Sequence, residues 1–221
     1  GDLPLATAQA FSIDDSQTTE IDDALSVQGL GSGKVVLGIH IAAPALALQP
    51  GSPIDAVARQ RLSTVYMPGY KITMLPDGVV QSYTLLEGRD CPAVSLYVTL
   101  DEATLAVQTS ETRLERVPIA HNLRHDQLDA IVTAPWLEES GVGAENTAEP
   151  LSSLRLPLSF LYRLARHLKS QRELVRGKPE TFNRPDYNFR LTGHDGDEPE
   201  GHENVQISTR QRGAPSDLIV A

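Results

Sequence analysis

Apolar and polar residues alternate over two short stretches near the N-terminus, Ala10-Phe11-Ser12-Ile13 and Ala24-Leu25-Ser26-Val27. This period of two predicts a pair of strands. Lys34 to Ala42 is a third strand with a denser apolar face, reached through Gly29-Leu30-Gly31-Ser32-Gly33, which reads as a hairpin turn. That turn is not a phosphate loop: Gln28 stands where a Walker motif needs its first glycine and Val35 where it needs Ser or Thr. Ser52 or Pro53 to Leu62 predicts a short helix. Ala93 to Leu100 predicts a strand, partnered by Thr104 to Val117 across a turn at Asp101-Glu102. A second short helix is expected over Leu123 to Val132, followed by a polar connection from Glu138 to Pro150 that should hold any internal flexibility. Leu158, Leu161, Ala165 and Leu168 then recur at helical spacing, so Leu154 to Val175 is an amphipathic helix, capped by Ser152 or Ser153 and closed by Gly177. Strands at Asn183 to Leu191 and Val205 to Thr209 flank a loop from Thr192 to Asn204, and Asp217 to Ala221 looks like the first turns of a helix.

The chain has 221 residues, 40% hydrophobic and 22% charged, which suits one sizeable soluble domain. No run approaches the apolar length of a membrane span, and no signal peptide opens the chain, so the cytoplasm is the expected compartment. The single Cys91 cannot form an internal disulfide and reads as a packing residue. A net charge of −10 is a poor match to a free-standing nucleic-acid binder. The exception is Arg155 to Lys178, where seven Lys or Arg accompany one acid, Glu173; this is either a solvated helix face or an RNA-backbone contact. His194 and His202 lack the regular spacing of a zinc site and read as surface residues.

The acids are distributed less evenly. Asp14, Asp15, Glu20, Asp22 and Asp23 are five carboxylates within ten residues, and Lys34 is the only Lys or Arg before Arg59. Folded close together they repel one another and raise the pKa of some members, a cost that a divalent cation removes. Hard oxygen donors without His or Cys point to magnesium or manganese rather than zinc. A solvated acidic loop is the plainer alternative, but apolar segments on both sides and Ile21 inside the run should fold it back onto the body. An EF-hand fails, because Thr19 and Leu25 fall where its turn glycine and bidentate glutamate belong.

Ile13-Asp14, then Thr18-Thr19-Glu20-Ile21-Asp22-Asp23-Ala24-Leu25-Ser26, resembles the first acidic motif of the ribonuclease II (RNB) catalytic domain, a family of processive 3′-to-5′ exoribonucleases found in bacteria. Gly38-Ile39-His40-Ile41-Ala42 with Pro50-Gly51-Ser52-Pro53-Ile54-Asp55 resembles its second block. Ser63-Thr64-Val65-Tyr66-Met67-Pro68 with Met74-Leu75-Pro76 resembles its third. Asn183-Arg184-Pro185-Asp186-Tyr187-Asn188-Phe189 and Arg210-Gln211-Arg212-Gly213-Ala214 carry the likeness to nearly the whole chain. Two positions depart from the pattern: Glu20 stands where Asp is usual, and Ala43 where an Asp usually follows the second block.

The resemblance implies an α+β fold, with a mixed, mainly antiparallel sheet packed with helices. It also implies two-metal hydrolysis of single-stranded RNA to nucleoside 5′-monophosphates, with two Mg2+ ions, or Mn2+ in their place, held by Asp14, Glu20, Asp22 and Asp23. Asp22 is then the residue needed for chemistry rather than for binding, and Asp15 is the least certain of the five acids. Tyr66, and less firmly Phe189 with Tyr187 as its rival, would stack on RNA bases near the 3′ end; a buried core tyrosine is the alternative for Tyr66. Full-length members flank this domain with OB-type RNA-binding modules. The chain therefore reads as the N-terminal portion of the domain, a monomer lacking a catalytic arginine supplied later and expected to have little exonuclease activity alone. A catalytically silent RNA-binding relative is the second reading.

Overall fold

The structure, a computed structural model, describes residues 2–138, 147–180, 186–193, 201–210 and 213–220. In chain order the strands are β1 (Ala10–Asp14), β2 (Asp23–Gln28), β3 (Lys34–Ala42), β4 (Val65–Met67), β5 (Tyr70–Ile72), β6 (Asp90–Asp101), β7 (Val107–Arg124), β8 (Asp186–Thr192) and β9 (Asn204–Arg210). The helices are α1 (Pro53–Arg61), α2 (Asp77–Tyr83), α3 (His125–Leu128), α4 (Ala134–Leu137), α5 (Leu151–Arg176) and α6 (Ala214–Val220), with a 3-10 turn at Pro44–Ala47. The chain divides into two compact units. The first comprises Gly1–Ala43, Tyr83–Glu180 and Arg212–Ala221; the second comprises Pro44–Ser82 and Thr181–Gln211.

In the first unit five strands close a barrel in the order β1-β2-β3-β6-β7. Every pairing is antiparallel except the closing one, β1 with β7, which is parallel. The sheet is thus mixed and mainly antiparallel, within an α+β fold. Because side chains alternate across a strand, the barrel wall buries two different sets. One face carries Phe11, Val35, Leu37 and Leu100 and packs against Leu128, Trp136, Leu137, Leu158, Leu161 and Leu164 from the helices. The opposite face carries small residues, Ala10, Ala24, Cys91 and Ala93, closed over by Ile21 and Leu85. Cys91 is a packing residue there, fully buried, with burial pushing its thiol up.

That small-residue face also holds a buried polar cluster. The His40 ring is hydrogen-bonded on both nitrogens, to the Ser26 hydroxyl and to the Ser95 hydroxyl, at 2.8 Å each. It meets the Tyr97 ring edge-on at 5.6 Å, and Tyr97 donates to the Glu115 carboxylate at 2.6 Å. Burial holds His40 down to about 4 and pushes Tyr97 up to about 12. Gly38 makes this possible: a Cβ there would stand 2.3 Å from Ser26 Oγ and 2.6 Å from His40 Nε2.

Several sequence expectations are adjusted. Strand β3 and helix α1, capped by the Ser52 side chain, lie where they were read. Leu123 to Val132 is not one helix: Leu123 and Arg124 end β7, and only His125–Leu128 is helical. The cause is tertiary, since β7 runs on to pair with β1 through Arg124. Helix α5 begins one turn early, at Leu151, after Pro150 and without a side-chain cap; Ser152 and Ser153 sit inside its first turn. Its buried stripe ends at Ala165, and Leu168 is exposed. Gly177 closes it in the left-handed region, with its N–H bonded to the Glu173 and Leu174 carbonyls. Most of the polar connection, residues 139–146, and the first residues of the strand expected from Asn183 lie outside the described residues, as does His194.

In the second unit β4 pairs with β5 and β8 with β9, each a two-stranded antiparallel ribbon. On β8 and β9 the residues Tyr187, Phe189, Val205 and Ile207 are all exposed.

Candidate metal centre

The acidic residues lie on β1, β2 and the loop joining them. Asp14 is the last residue of β1 and stands in register with Arg124 at the end of β7. Between Ala10 and Phe11 the β1–β7 register shifts: Ala10 faces Ile119 but Phe11 faces His121, so β7 advances two residues for one. This bulge reverses the parity of β7 and brings Asn122 and Arg124 to the face that carries Ser12 and Asp14. Ser12, 2% exposed, donates its hydroxyl to Asp14 Oδ2 at 2.6 Å.

The second half of the motif is anchored through Ile21. Its side chain is buried, its N–H donates to Thr84 Oγ1 at 2.8 Å, and its carbonyl accepts from Leu85 N–H at 2.9 Å. Asp22 follows, its carbonyl accepting from Ala42 N–H at 2.8 Å, and Asp23 opens β2 opposite Ile41. The loop between is held by Arg124, whose Nη1 donates to the carbonyls of Asp15 at 2.9 Å and Thr18 at 3.1 Å. Asp15 lies 3.6 Å from His125 Nε2, and Ser16 donates to the Asp126 carboxylate. Glu20 lies in the loop ahead of Ile21, outside any strand.

Asp22 and Asp23 are close enough for their charges to act on Asp14. Burial is the main cause that pushes the Asp14 carboxyl up; the charges of Asp23 and Asp22 add to it, while the Ser12 hydrogen bond and Arg124 oppose it. Asp23 is pushed up by burial as well. Among the described residues no three Asp, Glu, His or Cys side chains gather tightly enough to enclose a metal ion. The donor chemistry nevertheless fits a hard cation: carboxylates only, half-buried at Asp14 and exposed at Asp22 and Asp23. Magnesium is commonly held by one or two carboxylates with water and phosphate completing its shell.

Tyr66 and Phe189 lie in the second unit. Tyr66 is on β4, just before the turn at Pro68-Gly69, and is 68% exposed; Phe189 is on β8 and 51% exposed. Neither is a core residue. Tyr187 shares the exposed face of Phe189, so exposure does not separate the two rivals. On α5, Arg166 lies 3.7 Å from Glu138, and Arg172 and Arg176 lie 3.3 and 3.7 Å from Glu180. Arg155 donates to the Glu138 carbonyl and Arg163 to that of Glu102. Five of the seven cations between Arg155 and Lys178 are thus partnered locally, as a solvated helix face would be.

The parts that sequence reasoning passed over are Asn122 and Arg124, which support the motif from β7. Parity would have placed neither, because the bulge that turns them toward Asp14 leaves no mark in the alternation of β7. His40, Ser95, Tyr97 and Glu115 were also missed, although polar residues at alternate positions of apolar strands were a usable signal.

Comparison with known proteins gives one consistent result. The RNB domain family matches residues 4–220. Exoribonuclease 2 of Edwardsiella piscicida is 31% identical over 196 residues, 87% of this chain and 27% of its own length. RNase R of Mycoplasma genitalium, solved in complex with ribose-methylated single-stranded RNA, superimposes with a TM-score of 0.77 at 17% identity, covering 99% of this chain and 31% of that one. Yeast Ssd1, described as a pseudonuclease, superimposes with a TM-score of 0.61 at 24% identity, covering 81% of this chain and 20% of its own. The chain therefore spans about three-tenths or less of the length of these proteins.

Proposed function

The chain belongs to the RNB family, and from that footing we propose that it carries the cation-binding part of a 3′-to-5′ exoribonuclease acting on single-stranded RNA. The observation that supports this most is that Asp14, half-buried at the end of β1, lies within reach of the charges of Asp23 and Asp22, with no Lys or Arg in the motif itself. Asp14 and Asp23 are the direct ligands in this reading, with Glu20 and Asp22 completing or adjusting the set and Mg2+ or Mn2+ as the ion. Two such ions would supply the chemistry when bound, one lowering the pKa of the attacking water and the other stabilising the departing 3′-oxygen.

What the chain's own residues contribute is placement. Ser12 fixes one oxygen of Asp14 and leaves Oδ1 for a cation. The Ile21 anchor and the Ala42 N–H set where Asp22 and Asp23 leave the loop. Arg124 closes the loop between the two halves through its carbonyls and contributes positive charge beside Asp14. Tyr66 and Phe189 offer exposed aromatic faces on which bases stack whatever their identity, which suits an enzyme that degrades any sequence. The test uses RNA labelled at the 5′ end and the polypeptide as its gene encodes it: the label should pass from full length to a short end product with magnesium and stay at full length with a chelator. Degradation unaffected by chelation would end the metal reading.

A second reading, a catalytically silent RNA-binding relative, is favoured by two observations: Glu20 in place of the usual Asp, and Ala43, 6% exposed, where an acid usually stands. Tight RNA binding with no hydrolysis at any concentration of either metal would select it.

A further inference from the structure

Asn122 spends every polar group of its side chain between the two halves of the acidic motif. Its Oδ1 accepts from Glu87 N–H at 2.8 Å, and its Nδ2 donates to the Leu85 carbonyl at 2.9 Å and to Ser12 Oγ at 3.0 Å. The orientation of this amide is dictated by chemistry: a backbone N–H can only donate and a carbonyl can only accept. Nδ2 must therefore donate to Ser12. With its oxygen taken as acceptor on that side, the Ser12 hydroxyl directs its single proton to Asp14 Oδ2, 2.6 Å away. The Asn122 backbone N–H is held in turn by Glu87 Oε2 at 2.9 Å, so the residue is fixed at both its main chain and its side chain.

The Leu85 contact carries the second consequence. The N–H of that residue, which follows Thr84, holds the Ile21 carbonyl at 2.9 Å, and Ile21 is the residue from which Asp22 and Asp23 depart. Asn122 is thus the joint between Asp14, on β1, and the anchor of Asp22 and Asp23.

We propose that Asn122 is a positioning residue for divalent-cation binding: acting through Ser12 and Leu85, it fixes Asp14 relative to the Ile21 anchor from which Asp22 and Asp23 depart. This rests on the reading that these carboxylates hold a metal. Partners that orient ligands in this way are worth about 10–100-fold in metal affinity. The bulge in β7 has a function on this account, since without it Asn122 would face away from Ser12.

The test is Mn2+ binding to this chain, followed by electron paramagnetic resonance, with folding of each variant checked by circular dichroism. Asp14→Asn, Ser12→Ala and Asn122→Leu should each weaken Mn2+ binding by about 10-fold or more. Ser12→Thr, which keeps the hydroxyl, should bind as the parent does, and Asn122→Leu should add nothing to Asp14→Asn. If Asp14→Asn weakens binding but Ser12→Ala and Asn122→Leu do not, the positioning role is overturned and the metal reading stands. If Asp14→Asn has no effect, both fall. Ser12→Thr no better than Ser12→Ala also overturns the proposal, and Ser12→Ala alone decides should Asn122→Leu fail to fold.

Discussion

Acid should weaken this fold before its carboxylates are neutralised, because His40 is buried in neutral form. Its folded pKa is held to about 4 against an ordinary 6.5, with burial the main cause and Glu115 opposing. A depressed basic group binds fewer protons in the native state than in the unfolded one. Its contribution is therefore fully present above 6.5 and lost as pH falls toward 4. At about 1.4 kcal/mol per unit the whole shift is worth about 3 kcal/mol, of which about 2 kcal/mol is lost between pH 6.5 and about 5. That is a large share of the ~5–15 kcal/mol that holds a typical domain. Asp14 and Asp23 work against this loss, since their raised values make the native state bind protons more readily as pH falls. Asp55, Asp101 and Asp126, held below their ordinary 3.8, give up stability only at lower pH. Urea titrations at several pH values, followed by fluorescence of the single, buried Trp136, measure the loss directly. His40→Gln keeps a donor and an acceptor for Ser26 and Ser95 but has no proton to gain, so it should lose about 2 kcal/mol less than the parent over the same interval. Parallel losses in parent and variant would refute the reasoning. The effect also reaches the acids: His40 pairs with Ala24, the residue after Asp23.

Other consequences are simpler to read. Without a divalent cation Asp14→Asn should melt higher than the parent at neutral pH, because a carboxyl with a raised folded pKa destabilises the native state once pH has risen through that value. With magnesium at about 100 times its dissociation constant the parent should gain about 2.7 kcal/mol and Asp14→Asn much less; an equal gain in both would remove Asp14 from the site. Tyr66→Ala should remove a stacking contact of about 1–3 kcal/mol and leave longer end products on a homopolymer, whereas unchanged products would deny Tyr66 a base.

Much of this architecture was legible in the order of residues, for identifiable reasons. Strand β3 was readable end to end because Gly29–Gly33 marks its start and its apolar positions are unbroken, and α1 because Ser52-Pro53 is both cap and first turn. The short ribbon β4–β5 and helix α2 were not, since three-residue strands with every residue exposed or half-buried leave no alternation to detect. Nor was the length of β7: its expected end at Val117 falls short, and Leu123 and Arg124, read as the start of a helix, continue the strand because they pair with β1. The acidic motif itself was visible as composition. Two of its supports, Asn122 and Arg124, come from a strand about a hundred residues away, and only the closed barrel brings them near.

The account turns on whether Asp22 serves chemistry rather than binding. In the polypeptide as its gene encodes it, Asp22→Asn is nearly isosteric but lacks the charge that fixes a metal and its water. The deciding measurement is the rate of nucleoside 5′-monophosphate release from single-stranded RNA in magnesium, parent against Asp22→Asn, with RNA affinity taken on the same preparations. The expected result is loss of release with affinity unchanged within a few fold; release at the parent's rate would contradict the assignment of this motif as the site of hydrolysis.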